Sequence, residues 1–150
     1  MQHLGLFLLR LIVGSIFMVH GVPKLFGGPG KLAPAVVAEK LGSGFTEAWE
    51  QHGGENWASR LDQLGVPMPK AAAYFTSLVE LIGGLCFILG FQTRPAALLL
   101  VGQMAVATQK VHWKNGFMAS KGGYEFNLTL IGACLALLLG GPGKLSLDGE

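Results

Sequence analysis

The sequence predicts an all-α integral membrane protein, a four-helix bundle with a short-helix insertion between its first and second spans. Three observations predict this. Of 150 residues, 51% are hydrophobic and 13% charged, about half the charge of an ordinary soluble domain, and the mean hydropathy is +0.48. Four apolar runs approach the roughly 20 residues that a helix needs to cross a bilayer. The 23 glycines follow no repeat, which excludes collagen and suits close approach of lipid-embedded helices through small residues.

The length fits one transmembrane domain, residues 1–150. The first span, about 4–22, is interrupted by Arg10 and His20. It lacks a positive leader and an A-x-A cleavage site, so it reads as a retained span. The second, about 71–91, carries Glu80, and the third, about 95–112, begins beside Pro95, a residue tolerated in a first turn. The fourth, about 124–140, stops at Gly140-Gly141-Pro142-Gly143. The tight connection Gln92-Thr93-Arg94 makes the second and third spans antiparallel neighbours.

The insertion holds Glu39, Glu47, Glu50, Glu55 and Asp62 and opens with Gly27-Gly28-Pro29-Gly30. From Pro34 to Leu64 it reads as one or two short helices broken at Gly42-Ser43-Gly44 and Gly53-Gly54, with Trp49 and Trp57 as headgroup anchors. A partly mobile surface loop is the alternative. Four spans place both termini on one side of the cell membrane. The opposite side carries Lys24, Lys31, Lys40, Arg60, Lys70, Lys110, Lys114 and Lys121, which the positive-inside rule assigns to the cytoplasm.

A net charge of +2 without a Lys/Arg run gives no purchase for nucleic acid. Cys86 and Cys134 are two only, offset by about 9 Å along the bundle, and suit packing better than a disulfide. The absence of C-x-x-C removes a thiol relay. His20, His52 and His112 lack ligand spacing, so no metal site is expected, and nothing calls for haem ligation by His20 and His112.

Ionisable residues inside spans are costly and therefore functional candidates. Counted from the lysine-rich side, Arg10 and Glu80 each lie about 10–12 residues deep, near the midplane, with Gln103 slightly shallower. An Arg10–Glu80 ion pair with Gln103 beside it is one outcome; the other is that Arg10 snorkels outward over a protonated Glu80. Closer to the lysine-rich side stand His20, Lys24, Thr76, Ser77, His112, Tyr124 and Glu125. Helical spacing sets Arg10, Gly14, Phe17, Gly21 and Lys24 on one stripe, and Thr76, Glu80, Gly84 and Phe87 on another. Together these features predict a polar funnel that binds a small molecule. His20 and Glu80 exchange protons there, since an unperturbed histidine titrates at about 6.5. Arg10, Lys24, Gln103, His112, Tyr124 and Glu125 line it.

The chain resembles the DoxX family of small four-span membrane proteins. The resemblance rests on Phe17-Met18-Val19-His20-Gly21-Val22-Pro23-Lys24-Leu25-Phe26-Gly27, Leu64-Gly65-Val66-Pro67-Met68-Pro69 and Leu78-Val79-Glu80-Leu81-Ile82-Gly83-Gly84. It continues through Gly90-Phe91-Gln92-Thr93-Arg94-Pro95-Ala96-Ala97, His112 with Phe117, Gly123-Tyr124-Glu125, and Gly141-Pro142-Gly143-Lys144-Leu145-Ser146-Leu147-Asp148. Gly42 to Arg60 departs from the family by being longer and more acidic. The resemblance implies one of two functions. One is a quinone-linked oxidoreductase subunit in the membrane, in which His20, Lys24, Glu80, His112 and Glu125 bind and protonate a quinone. The other is a non-catalytic assembly or scaffold partner. A homo-oligomer or a partner oxidoreductase subunit accompanies either, and no flavin, haem or iron–sulfur motif is present.

Overall fold

The computed structural model describes residues 2–149, and every regular element among them is helical. In chain order the α-helices are α1 (Gln2–Phe26), α2 (Ala35–Leu41), α3 (Ser43–Gln51), α4 (Gly54–Gln63), α5 (Pro69–Leu89), α6 (Thr93–Ala107) and α7 (Glu125–Gly140). The chain divides into two compact units, one of residues 1–17 and 82–150, the other of residues 18–81.

The first unit takes the start of α1, the end of α5, and the antiparallel pair α6 and α7. Its buried residues include Val13, Phe17, Phe87, Leu100 and Leu137. α1 meets α5 at Gly14, where a Cβ would stand 2.6 Å from Gly84 O, so only glycine permits that approach. Ile12 on α1, Leu98 on α6 and Leu139 on α7 are 61%, 61% and 79% exposed. Large aliphatic side chains so placed along apolar helices need lipid around them rather than water. α1 and α5, 25 and 21 residues long, are each long and apolar enough to cross a membrane. The 15-residue α6 runs on through a π-helical turn, Thr108–His112, and α7 has 16 residues.

α5 ends in a Schellman turn. Gly90, at φ +64°, donates to Phe87 O, and Phe91 N donates to Cys86 O. The C-terminal segment then returns to this turn, Leu147 N donating to Leu89 O and Asp148 N to Gly90 O. The Asp148 carboxylate accepts from Gln92 N and Thr93 N at 3.0 and 3.2 Å. An acid remote in sequence thereby caps the first free N–H groups of α6. Cys86 and Cys134 are free thiols, Cys134 buried, in keeping with packing.

The second unit contains the end of α1, α2 to α4, and the start of α5. α1 runs through Pro23 to Phe26, four residues beyond the expected end at Val22. A proline in a last turn forfeits one ladder bond without breaking a helix that stops there anyway, and Gly27 N donates to Pro23 O. The insertion forms three short helices rather than one or two. It is packed in place: Gly28 N donates to Trp49 O, and Cβ atoms on Gly27 or Gly53 would meet opposing carbonyls at 2.3 Å. Ala58, Leu61 and Ala73 form a small core with Trp57, Val66 and Ala72 against it. Trp49 is buried and Trp57 half-buried, so neither stands out as a headgroup anchor.

Candidate functional site

The second unit brings together three of the predicted residues. His20 and Lys24 lie one turn apart on α1, and Glu80 is on α5. α1 and α5 touch at Gly21, where a Cβ would stand 3.0 Å from the Glu80 Cβ and 2.9 Å from Leu81 N. That close approach lets Lys24 reach back to the carboxylate, its Nζ 2.6 and 2.7 Å from Oε1 and Oε2. The Glu80 side chain is 2% exposed and the Lys24 side chain 15%. Two opposite charges are therefore held together almost out of solvent, where each alone would be costly. His20 is exposed on α1 and within electrostatic reach of both.

α4 covers the pair. The Trp57 ring centroid is 4.8 Å from Lys24 Nζ, a cation–π contact, and Trp57 Nε1 donates to Thr76 Oγ1 at 3.1 Å. Thr76 and Ser77 in turn donate to Ala73 O on α5. His52, between α3 and α4, meets Trp57 edge-on at 5.5 Å and donates from Nδ1 to Ala48 O at 2.7 Å. Burial pushes the His52 pKa below the ordinary histidine value. Lys24 and Arg60 add to this, while the Ala48 bond and Glu80 oppose it.

Glu80 thus pairs with Lys24, whereas Arg10, the partner expected for Glu80, takes its partners within its own unit. α1 meets α5 at Gly21, so Lys24, one turn further on, is the residue that reaches the carboxylate. In the first unit, fully buried Arg10 donates to Phe87 O at 3.1 Å and to Leu145 O, and stands 5.7 Å over the Phe7 ring. It ties the carbonyl end of α5 to the C-terminal segment, a favourable place for a cation. Arg10 also rules out a side chain at Gly90, whose Cβ would overlap the guanidinium.

The remaining candidates also fall in the first unit. Gln103 is half-buried on α6. His112 Nδ1 donates to Gly122 O at 2.7 Å, Glu125 Oε2 accepts from Ala119 N at 3.0 Å, and Tyr124 stacks on Trp113 at 5.1 Å. These three close the loop between α6 and α7. Trp57 and His52 stand beside the Lys24–Glu80 pair, where sequence reasoning did not place them. The signal for Trp57 was present: Trp57, Leu61 and Leu64 repeat at helical spacing, which marks an inward face.

The DoxX family model matches residues 5–113. The chain is similar to the inner membrane protein YphA of Escherichia coli, 28% identical over 95% of this chain and 87% of that protein. It is similar also to the protein named "Putative oxidoreductase CatD" of Bacillus subtilis, 30% identical over 97% of this chain and 85% of that one. An uncharacterized membrane protein of Mycobacterium tuberculosis is 26% identical over 93% of this chain and 77% of its own length. No solved structure matches.

Proposed function

The chain belongs to the DoxX family of membrane proteins, and from that premise we propose that it serves an oxidoreductase system in the cell membrane by binding a quinone or a similar apolar carbonyl compound beside Lys24 and Glu80. The observation that carries this reading is the nearly buried Lys24–Glu80 pair under the Trp57 indole. A carbonyl-bearing ring needs a donor for its oxygen, a flat apolar wall and a side chain able to exchange protons. Lys24 is the donor, Trp57 the wall, and His20 with Glu80 the exchanging groups. A quinone, when bound, accepts electrons delivered by a partner subunit and protons passed through these side chains.

The name of the Bacillus subtilis relative supports an oxidoreductase setting. In this reading the protein is multi-pass, α6 with its π-helical extension and α7 serving as the third and fourth spans. Gln103 on α6 remains a candidate ligand contact. Arg10, His112 and Glu125 take structural places, each holding backbone groups, and Tyr124 takes one by stacking on Trp113.

The test is binding of decylubiquinone to the purified protein in nanodiscs, compared with His20→Ala, Glu80→Gln and Cys86→Ser after each is checked for folding. We expect the first two to lose at least about tenfold in affinity, roughly 1.4 kcal/mol, and Cys86→Ser to bind like the parent. Equal binding by all four would sink the quinone site and leave the assembly or scaffold role in its place.

A further inference from the structure

The segment joining α6 to α7 is folded where a loose connection would suffice. Gly122 O accepts from both His112 Nδ1 and Asn115 Nδ2, and the Glu125 carboxylate turns inward to Ala119 N. Tyr124 is stacked on Trp113 and met edge-on by Phe117 at 5.6 Å. A Cβ on Gly123 would stand 2.3 Å from Gly116 O, so the backbone is packed as closely as glycine allows. Yet Trp113, Phe117 and Met118 remain 64%, 50% and 54% exposed. Exposed Lys110, Lys114 and Lys121 are interspersed with them, and residues 108–124 contain no acid.

A rigid loop that leaves aromatic rings and lysines outward at the end of two apolar helices has the composition of a surface solvated by lipid headgroups. The rings suit the edge of the hydrocarbon and the ammonium groups suit phosphates. We propose that this loop is a docking surface for anionic phospholipid headgroups of the leaflet at which α6 and α7 meet. Charge selects the occupant. A second copy docking through the same face would set three lysines against three, whereas an anionic leaflet neutralises all of them. The inference rests on α6 and α7 being spans and is independent of what binds beside Lys24 and Glu80.

Two measurements test it on the full chain. In the first, native mass spectrometry compares retention of phosphatidylglycerol and phosphatidylcholine by the parent and by Lys110→Gln/Lys114→Gln/Lys121→Gln, both verified by thermal melting. The parent should prefer phosphatidylglycerol, and each lysine removed should lower that preference about fivefold at low salt. Equal retention of the two lipids by the parent, or an undiminished preference in the variant, overturns the proposal. In the second, the fluorescence that Trp113→Phe removes is assigned to Trp113 in reconstituted vesicles. Lipid brominated near the headgroup end of its chains should quench that component. If brominated lipid leaves it untouched, the rings face water or another protein and the proposal fails.

Discussion

A lysine and a glutamate inside apolar helices are stable only as partners, because either charge alone would be stranded away from water. For Lys24 and Glu80 this gives a sharp expectation. Glu80→Gln or Lys24→Met alone should cost about 3–5 kcal/mol, and the double variant should cost much less than the sum. Thermal melts of the four proteins in one detergent measure the coupling, and additive losses would mean no contact. His52 gives a second expectation. Its pKa lies below the ordinary value because of burial, assisted by Lys24 and Arg60. The unfolded chain therefore takes up a proton first as pH falls below about 6.5, so stability is lost from there down to the folded-state value and then levels off. Melting temperatures recorded from about pH 7.5 to 5 should fall for the parent, and His52→Gln should remove part of that slope. At this scale the sequence marks His20, Lys24 and Glu80 as polar groups in apolar runs, and the structure gathers them in the second unit. It was misleading about who pairs with whom, because pairing depends on where α1 and α5 approach, at Gly21, and no local pattern conveys that.

Elements were legible where a breaker or a period marks them. Gly42 and Gly53, at φ +78° and +90°, separate α2, α3 and α4 at the expected places, and Pro69 opens α5. What no local pattern conveys is how closely two helices approach. Gly21 and Gly132 are both helical glycines, yet a Cβ on Gly21 meets α5 at 2.9 Å while one on Gly132 meets nothing within 4 Å. Gly21→Ala should therefore destabilise by about 1–3 kcal/mol through overpacking. Gly132→Ala should be neutral or gain up to about 1 kcal/mol in helix propensity. Melting curves for the two variants decide this, and equal effects would contradict the packing described. Trp57 lies against Lys24 and the Ala58, Leu61 and Ala73 core for a similar reason, tertiary packing following its helical spacing with Leu61.

On the scale of the whole chain, membrane character was plain from composition, and apolar side chains exposed along α1, α6 and α7 agree with it. The role of the C-terminal segment was not visible, because nothing local ties Leu145 or Asp148 to Arg10 and the start of α6. Deleting residues 142–150 removes the Leu145 carbonyl from Arg10 and the Asp148 cap from α6. We expect the truncated chain to melt well below the parent, and Asp148→Asn to fall between them; an unchanged melt would show that the segment holds nothing. The central claim concerns the site itself, that a quinone-type ligand lodges beside Lys24 and Glu80 beneath Trp57. The most direct measurement is labelling of the reconstituted protein with a photoreactive quinone analogue, followed by mapping of the modified residues by mass spectrometry. Adducts confined to residues 18–26, 49–60 and 73–81, and abolished by excess decylubiquinone, are the predicted result. Adducts concentrated elsewhere, or undiminished by the competitor, would contradict it.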